Sequence, residues 1–346
     1  MKSRKTAKAP TAGPDLSRLL DLIALFPQQT ITVIGDFVVD EYVTGEISRV
    51  SREAPVIILR HEETRVVPGG GANAVNNLIV LGARVLPVGA VGDDAAGAAL
   101  VEYFRGKDAN VSGIVAVRNW ATTTKTRFLA RWSHTARQQV LRVDREASQA
   151  LPDGVQRQIA SKAAACAAKS SGTIVSDYGS GVVSPQLVKR LRAKVLTLDS
   201  RYRLLEYRGA KITAATPNEP ELEAAYHARI GKNEAQLETL GQRTLRALGL
   251  QALLVTRGRD GMVLFERGKA PHRIAVFGSD DAVDVTGAGD TVIAVFTLAL
   301  AAGGSFVEAA HLANFAGGIV VMKRGTATVS RAELENAVRS EASANS

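Results

Sequence analysis

The 346 residues are 46% apolar and 22% charged, the make-up of a soluble globular protein with a core of ordinary size. The formal charge is +9, but Lys2, Arg4, Lys5 and Lys8 supply four of it, and the remaining +5 is interspersed with acids, a bias toward anionic small molecules rather than a nucleic-acid face. A lone cysteine, Cys166, excludes an intrachain disulfide and suits a reducing cytoplasm, and the longest apolar run, 292–302, is too short to span a bilayer.

Residues 1–14 carry Pro10 and Pro14 and no uninterrupted apolar stretch, which predicts a disordered tail and no signal peptide. A strand at 31–34 ends in Gly35-Asp36, with Asp40 close behind. Ligands of α/β sheets bind at the carboxyl ends of strands, so these acids suit a polyol; Asp36 also suits turn chemistry after Gly35. Residues 42–61 have β-type patterns with no helix. The run Pro68-Gly69-Gly70-Gly71-Ala72-Asn73-Ala74-Val75 then opens a helix over 70–81. Glycines at a helix entry let backbone lie against a polar ligand, and Asn73 has the amide to bond hydroxyls.

A strand at 85–91 and a helix at 95–104 follow, and 111–144 again shows β patterns without helices. These two helix-free segments predict a small separate sheet, placed as a lid over the site. Their cations include Arg49, Arg52, Lys125, Arg127 and Arg142. Strand–helix alternation resumes with strands at 173–176, 195–198, 212–214 and 252–255 and helices at 153–169, 184–193, 218–228 and 233–248. That pattern predicts a mainly parallel sheet with helices on both faces, a three-layer α/β/α sandwich. Helices at 288–302, 306–323 and 331–338 close the chain, with a tail from 341.

The most informative string is Asp284-Val285-Thr286-Gly287-Ala288-Gly289-Asp290-Thr291, at the start of the helix over 288–302. Gly287, Ala288 and Gly289 let an anion approach backbone N–H groups at a helix N-terminus, which favours negative charge. Asp290, in the first turn, is placed to take a proton from an attacking hydroxyl. A bare GxGD is more often a plain helix start; the full string late in an α/β chain is far more specific.

The string resembles the C-terminal signature of the ribokinase/PfkB carbohydrate kinase family, and the 68–75 run resembles its N-terminal signature. The resemblance implies a ribokinase-like fold, ATP and Mg²⁺, with Asp290 as base and the 287–289 amides holding the γ-phosphate. Asn218 and Glu221 match an NxxE motif that organises Mg²⁺ through water; an Asn cap on a helix with acids in its first turn reads equally well. Thr256, Gly258 and Gly261 resemble a nucleotide-phosphate loop, with a turn at Asp260-Gly261 as the local alternative. Asn314 resembles a base-pocket residue or, equally, a polar residue on an exposed helix face. Asp284 and Thr286 would hold a monovalent cation such as K⁺, and Asp36, Asp40, Gly70, Gly71, Asn73, Lys125, Arg127, Arg142 and Asp177 would meet the sugar.

Within the family the chain is most similar to the heptose-7-phosphate kinases that are fused to a heptose-1-phosphate adenylyltransferase. The matching stretches include 48–56, 124–127, 138–144, 176–179 and 323–330. This implies transfer to the anomeric oxygen of heptose 7-phosphate, on the way to ADP-heptose for lipopolysaccharide. Ser180, Ser200, Arg201 and Arg52 stand where that group usually has Lys, Pro, Lys and Pro. Ending at Ser346, the chain is expected to leave adenylyl transfer to a separate protein. A homodimer through the lid is expected, because an isolated small sheet has open edges. The alternatives are a kinase for another sugar or nucleoside, and a non-catalytic sugar-binding regulator on the same scaffold.

Overall fold

The computed structural model describes residues 14–132, 137–278 and 282–344. After α1 (Leu16–Ala24) come β1 (Thr30–Gly35), β2 (Phe37–Val50), β3 (Ile57–Gly70), α2 (Gly71–Val80), β4 (Arg84–Gly92), α3 (Ala95–Arg105) and β5 (Ile114–Val117). Next are β6 (Thr124–Arg131), β7 (Gln138–Arg145), α4 (Asp153–Ala167), β8 (Gly172–Asp177), α5 (Pro185–Arg190), β9 (Leu196–Ser200), β10 (Ala214–Ala215), α6 (Glu219–Tyr226) and α7 (Glu234–Leu248). The last third holds β11 (Ala252–Thr256), β12 (Met262–Glu266), β13 (His272–Ile274), α8 (Ala288–Ala301), α9 (Phe306–Val321) and α10 (Arg331–Ala344).

Nine strands form one sheet in the order β13-β12-β11-β10-β9-β8-β1-β4-β5, parallel from β11 to β5 and antiparallel at β12 and β13. Its inner strands β1, β4, β8, β9 and β11 are largely buried on both faces, which is why they read as continuous apolar runs. Ile31 and Val33 of β1 join a core built with α1, α2, α3, α8, α9 and α10. Ile34 turns to the opposite core, formed with α4, α5, α6 and α7. The sandwich is thus the expected three-layer α/β/α arrangement.

A second sheet, ordered β3-β2-β6-β7, is rooted where β1 ends: β2 starts two residues past β1, and β3 runs directly into α2. It is therefore anchored at the carboxyl edge of the large sheet, above the predicted site. It begins earlier and ends later than 42–61, and β5, inside the expected 111–144 segment, pairs instead with β4 in the large sheet. The α1 helix and strands β12 and β13 are additions to the sequence reading. Helix α10 continues to Ala344, so 341–344 are helical and not a tail. The expected N-terminal tail, except for Pro14, and the last two residues lie outside the described residues, as does 133–136 of the lid.

Candidate active site

Helix α8 starts at Gly287, held in the left-handed region at φ 79°. A Cβ there would lie 2.5 Å from Asn73 Nδ2, so both backbone shape and packing demand glycine. Gly289 is different: a Cβ would meet nothing within 4 Å, because the position opens on the cavity.

Asp290 follows in the first turn, 3% exposed. Tyr178 Oη donates to its Oδ1 at 2.7 Å, and Asn73 Nδ2 donates to its Oδ2 at 3.1 Å and to Gly287 O at 3.2 Å. Burial raises the Asp290 carboxyl to about 7; the two donors pull it down, while the charges of Asp199 and Asp40 push it further up. Burial also holds the Tyr178 phenol well above its ordinary range, so it remains a donor. A buried carboxyl tuned near neutrality is what a general base at physiological pH requires.

Asp290 sits on a cavity of about 400 Å³ whose walls come from the lid, the ends of β9 and β10, and the entries to α6 and α8. Asp40, Gly70, Lys125, Arg127 and Arg142 line it as expected, together with Asn218, Glu221, Thr256, Thr286, Gly287 and Gly289. A second cleft of about 320 Å³ shares Asn218, Thr256, Val285 and Gly289 with it and is mostly apolar beyond them. Gly258, Gly261, Ala288 and Asn314 line this cleft, and Asn314 is fixed by donating to Ala275 O at 2.9 Å. The two spaces therefore meet at the N-terminus of α8, one polar and one apolar.

Four residues expected at the substrate do other work. Asp36 is fully buried and accepts from the amides of Tyr178, Ser180 and Val182, at 2.8, 3.0 and 3.1 Å, bracing that loop from behind. Asp177 is consumed by Arg203, Tyr207 and Ser200. Asn73 is buried against Asp290 and Gly287, fixing the Asp290 carboxyl rather than facing the cavity. Gly71 packs against Asp36 O and the Gly35 Cα, where a Cβ would crowd both. Arg49 and Arg52 are exposed and lie outside the cavity lining.

Four residues were not anticipated: Tyr178, Asp199, Arg201 and Thr216 all line the cavity. Asp199, Arg201 and Thr216 stand at or just past the ends of β9 and β10, a position that marks ligand sites in parallel sheets. The carboxyls of Asp199 and Glu221 are both raised, chiefly by burial and, for Asp199, by the charge of Glu221. Like charges gathered in a cavity suit a cation. Among the described residues no three His, Cys, Asp or Glu side chains are grouped to chelate a metal directly. Asn218 and Glu221 form a capping box: Asn218 Oδ1 accepts from Glu221 N at 2.8 Å, and Glu221 Oε2 accepts from Asn218 N at 2.9 Å. Asp284 accepts from Thr286 N and Gly325 N, both at 2.9 Å, and its carboxyl is held below its usual range despite burial.

A near-neutral carboxylate at a helix N-terminus, where a polar and an apolar space converge, is suited to passing a phosphoryl group from nucleotide to hydroxyl. The class defined by this sandwich and site is a ribokinase-like small-molecule kinase. The model of the pfkB family carbohydrate kinases matches residues 28–333, and the chain belongs to that family. It is 40% identical over 320 residues to the bifunctional protein HldE of Desulfatibacillum aliphaticivorans, covering 90% of this chain and 64% of that one. The HldE of Geobacter metallireducens is 41% identical over 311 residues, 87% and 61% of the two chains. The chain thus spans under two thirds of the length of these curated relatives. Among solved structures, an Arabidopsis thaliana ribokinase complexed with ribose and ATP superposes with a TM-score of 0.68 at 20% identity, covering 90% of this chain and 99% of that one. Escherichia coli phosphofructokinase-2 in complex with potassium gives 0.71 at 16%, covering 91% and 99%.

Proposed function

We propose that this carbohydrate kinase uses ATP to phosphorylate the anomeric oxygen of a heptose 7-phosphate, the step that leads toward ADP-heptose in lipopolysaccharide synthesis. The carrying observation is Asp290: buried, held by Tyr178 and Asn73, and poised near pH 7 beside the α8 N-terminus. The sugar occupies the polar cavity, and the nucleotide lies with its base in the apolar cleft by Asn314. The attacking hydroxyl gives its proton to Asp290 as its oxygen bonds to the γ-phosphorus. The bond from γ-phosphorus to the β–γ bridging oxygen breaks, and ADP leaves. The Gly287–Gly289 backbone stabilises the charge on the transferring group.

Asp199, Asn218 and Glu221 fit a magnesium ion held through water, which would neutralise charge on the nucleotide phosphates. A monovalent cation beside Asp284 and Thr286 belongs to the same proposal. Resemblance to the HldE proteins supports the heptose substrate, and the cations turned into the cavity support a phosphorylated one. Adenylyl transfer to the product falls to a different active site.

The lid supports a homodimer. Val50, Val56, Ile57, Val66, Trp132, Val140, Leu141 and Val143, two thirds of the large exposed hydrophobics among the described residues, all fall between 50 and 143 in or beside its strands. Every residue of β7 is exposed, and an apolar sheet face of that kind calls for a cover.

The test is ADP release, by coupled assay, across heptose 7-phosphate, free heptose, fructose 6-phosphate, ribose and nucleosides. Turnover at least tenfold better with heptose 7-phosphate is the expected result. A better acceptor from another class would replace the substrate assignment, and no turnover with any acceptor would favour a non-catalytic regulator.

A further inference from the structure

The two donors that hold Asp290 come from distant parts of the chain: Asn73 from α2 and Tyr178 from the loop after β8. Asp36, one residue past β1, is tied to both parts. Its backbone N donates to Ser176 O of β8 at 3.0 Å, and its backbone O accepts at 3.1 Å from the N of Gly71, the first residue of α2. Its carboxylate reaches the loop, accepting from Tyr178 N and Ser180 N on Oδ2 and from Val182 N on Oδ1.

The run Tyr178-Gly179-Ser180-Gly181-Val182 is shaped for that carboxylate. Alternate amides point at it, and the residues between them are glycines at φ 84° and 91°. Left-handed backbone between N–H groups curls a chain into an anion-binding concavity, and glycine takes those angles without strain. Here the anion is internal, for Asp36 fills the concavity and is 0% exposed. Burial raises its carboxyl, the loop's hydrogen bonds oppose the rise, and the charge of Asp177 adds to it. Arg203 and Tyr207, which hold Asp177, are the other titratable groups whose electrostatics reach Asp36. A carboxylate buried this deeply needs its donors, so the loop and Asp36 fix one another.

We infer that Asp36 is a positioning residue for phosphoryl transfer, clamping the 178–182 loop so that the Tyr178 hydroxyl stays on Asp290. The link runs from the Asp36 carboxylate through the loop amides to Tyr178, and from Tyr178 Oη to Asp290 Oδ1 at 2.7 Å. The other charges around this pair are those of Asp199, Asp40 and Glu221 near Asp290 and of Lys125 over the Tyr178 ring. Loosening the loop withdraws a donor from Asp290 and leaves those charges in place. This inference rests on the reading of Asp290 as the base and adds what keeps its donor in position.

Asp36→Asn and Gly181→Ala would be compared with wild type, each alone and combined with Tyr178→Phe. Values of kcat and KM would be taken between pH 5 and pH 8 on whichever acceptor the wild type turns over best. Asp36→Asn sets an amide against a backbone N–H. Gly181→Ala disturbs the loop without touching the carboxylate: its Cβ meets nothing within 4 Å, and only the φ of 91° opposes it. Each change alone should lower kcat at pH 7 about 3- to 10-fold and leave KM for ATP near wild type. Each should also move the acidic limb of kcat to higher pH, by no more than Tyr178→Phe does. Combined with Tyr178→Phe, either change should add little. Full additivity with an unmoved limb would make the clamp a fold-stabilising feature alone and overturn the inference. Should Asp36→Asn fail to fold, Gly181→Ala decides by the same criteria. Near-wild-type kcat in Asp290→Asn is a separate result, and it would remove the base itself.

Discussion

Replacing Asp290 by Asn separates two consequences of burying that carboxyl. In the folded protein it titrates near 7 instead of 3.8, mainly because burial disfavours the anion. A raised folded-state pKa means that the contribution to stability is intact below 3.8 and is lost as pH rises toward 7. Between pH 5 and pH 8 the wild type therefore gives up on the order of 3 kcal/mol on account of this group. Asn cannot ionise and escapes that loss. It keeps an acceptor for Tyr178 Oη but turns an amide toward Asn73 Nδ2, a mismatch of about 1–2 kcal/mol that is the same at both pH values. In thermal unfolding of the nucleotide-free protein, the melting temperature of Asp290→Asn relative to wild type should rise between pH 5 and pH 8, by about 6 °C at roughly 2 °C per kcal/mol. The same variant should lose about 10²- to 10⁴-fold in kcat while binding ATP nearly as before. A Tm difference that is flat with pH would refute the raised pKa, and near-wild-type kcat would refute the base.

Removing the Tyr178 hydroxyl takes away a donor that lowers Asp290, so in Tyr178→Phe the acidic limb of kcat against pH should move up by about one unit; an unmoved limb would disconnect the two groups. The glycines should divide by mechanism: Gly287→Ala destabilises by about 1–3 kcal/mol through its left-handed φ and the contact with Asn73, seen in chemical denaturation. Gly289→Val leaves stability nearly unchanged and instead lowers kcat and raises KM for ATP by filling the open space over the phosphate path. Leu141→Glu, on the exposed apolar strand β7, should turn a dimer into a monomer by sedimentation, and a wild type already monomeric at micromolar concentration would remove the lid interface.

Much of the scaffold was legible because of where its strands lie. β1, β4, β8, β9 and β11 are covered on both faces, so their apolar runs stand out against the helices between them. β13 has only three residues, too short for any period to show. β5 looked like lid because its neighbours in sequence are lid strands, and only pairing with β4 separates it. In the site, the α8 entry was readable from local chemistry alone: small residues, a helix start and an acid in its first turn. Arg201 and Thr216 carry no such local mark; their place on the cavity comes from β9 and β10 ending side by side.

The acids at the strand ends show the limit more sharply. Asp36, Asp177 and Asp199 all lie within β8 or β9 or one residue beyond β1, where an α/β sheet places its ligands. The rule singles out the position and not the partner. Asp36 turns to three backbone amides and Asp177 to Arg203, Tyr207 and Ser200, whereas Asp199 is left on the cavity with Glu221 for company. The Asn218–Glu221 pair carries the opposite lesson. Its two readings, helix cap and cation site, looked like rivals, yet the cap uses only Asn218 Oδ1 and Glu221 Oε2. Asn218 Nδ2 and Glu221 Oε1 take no part in it, and both residues line the cavity. The cap thus fixes the rotamers of the groups that would organise a metal, so that the local structural role is what makes the chemical one possible.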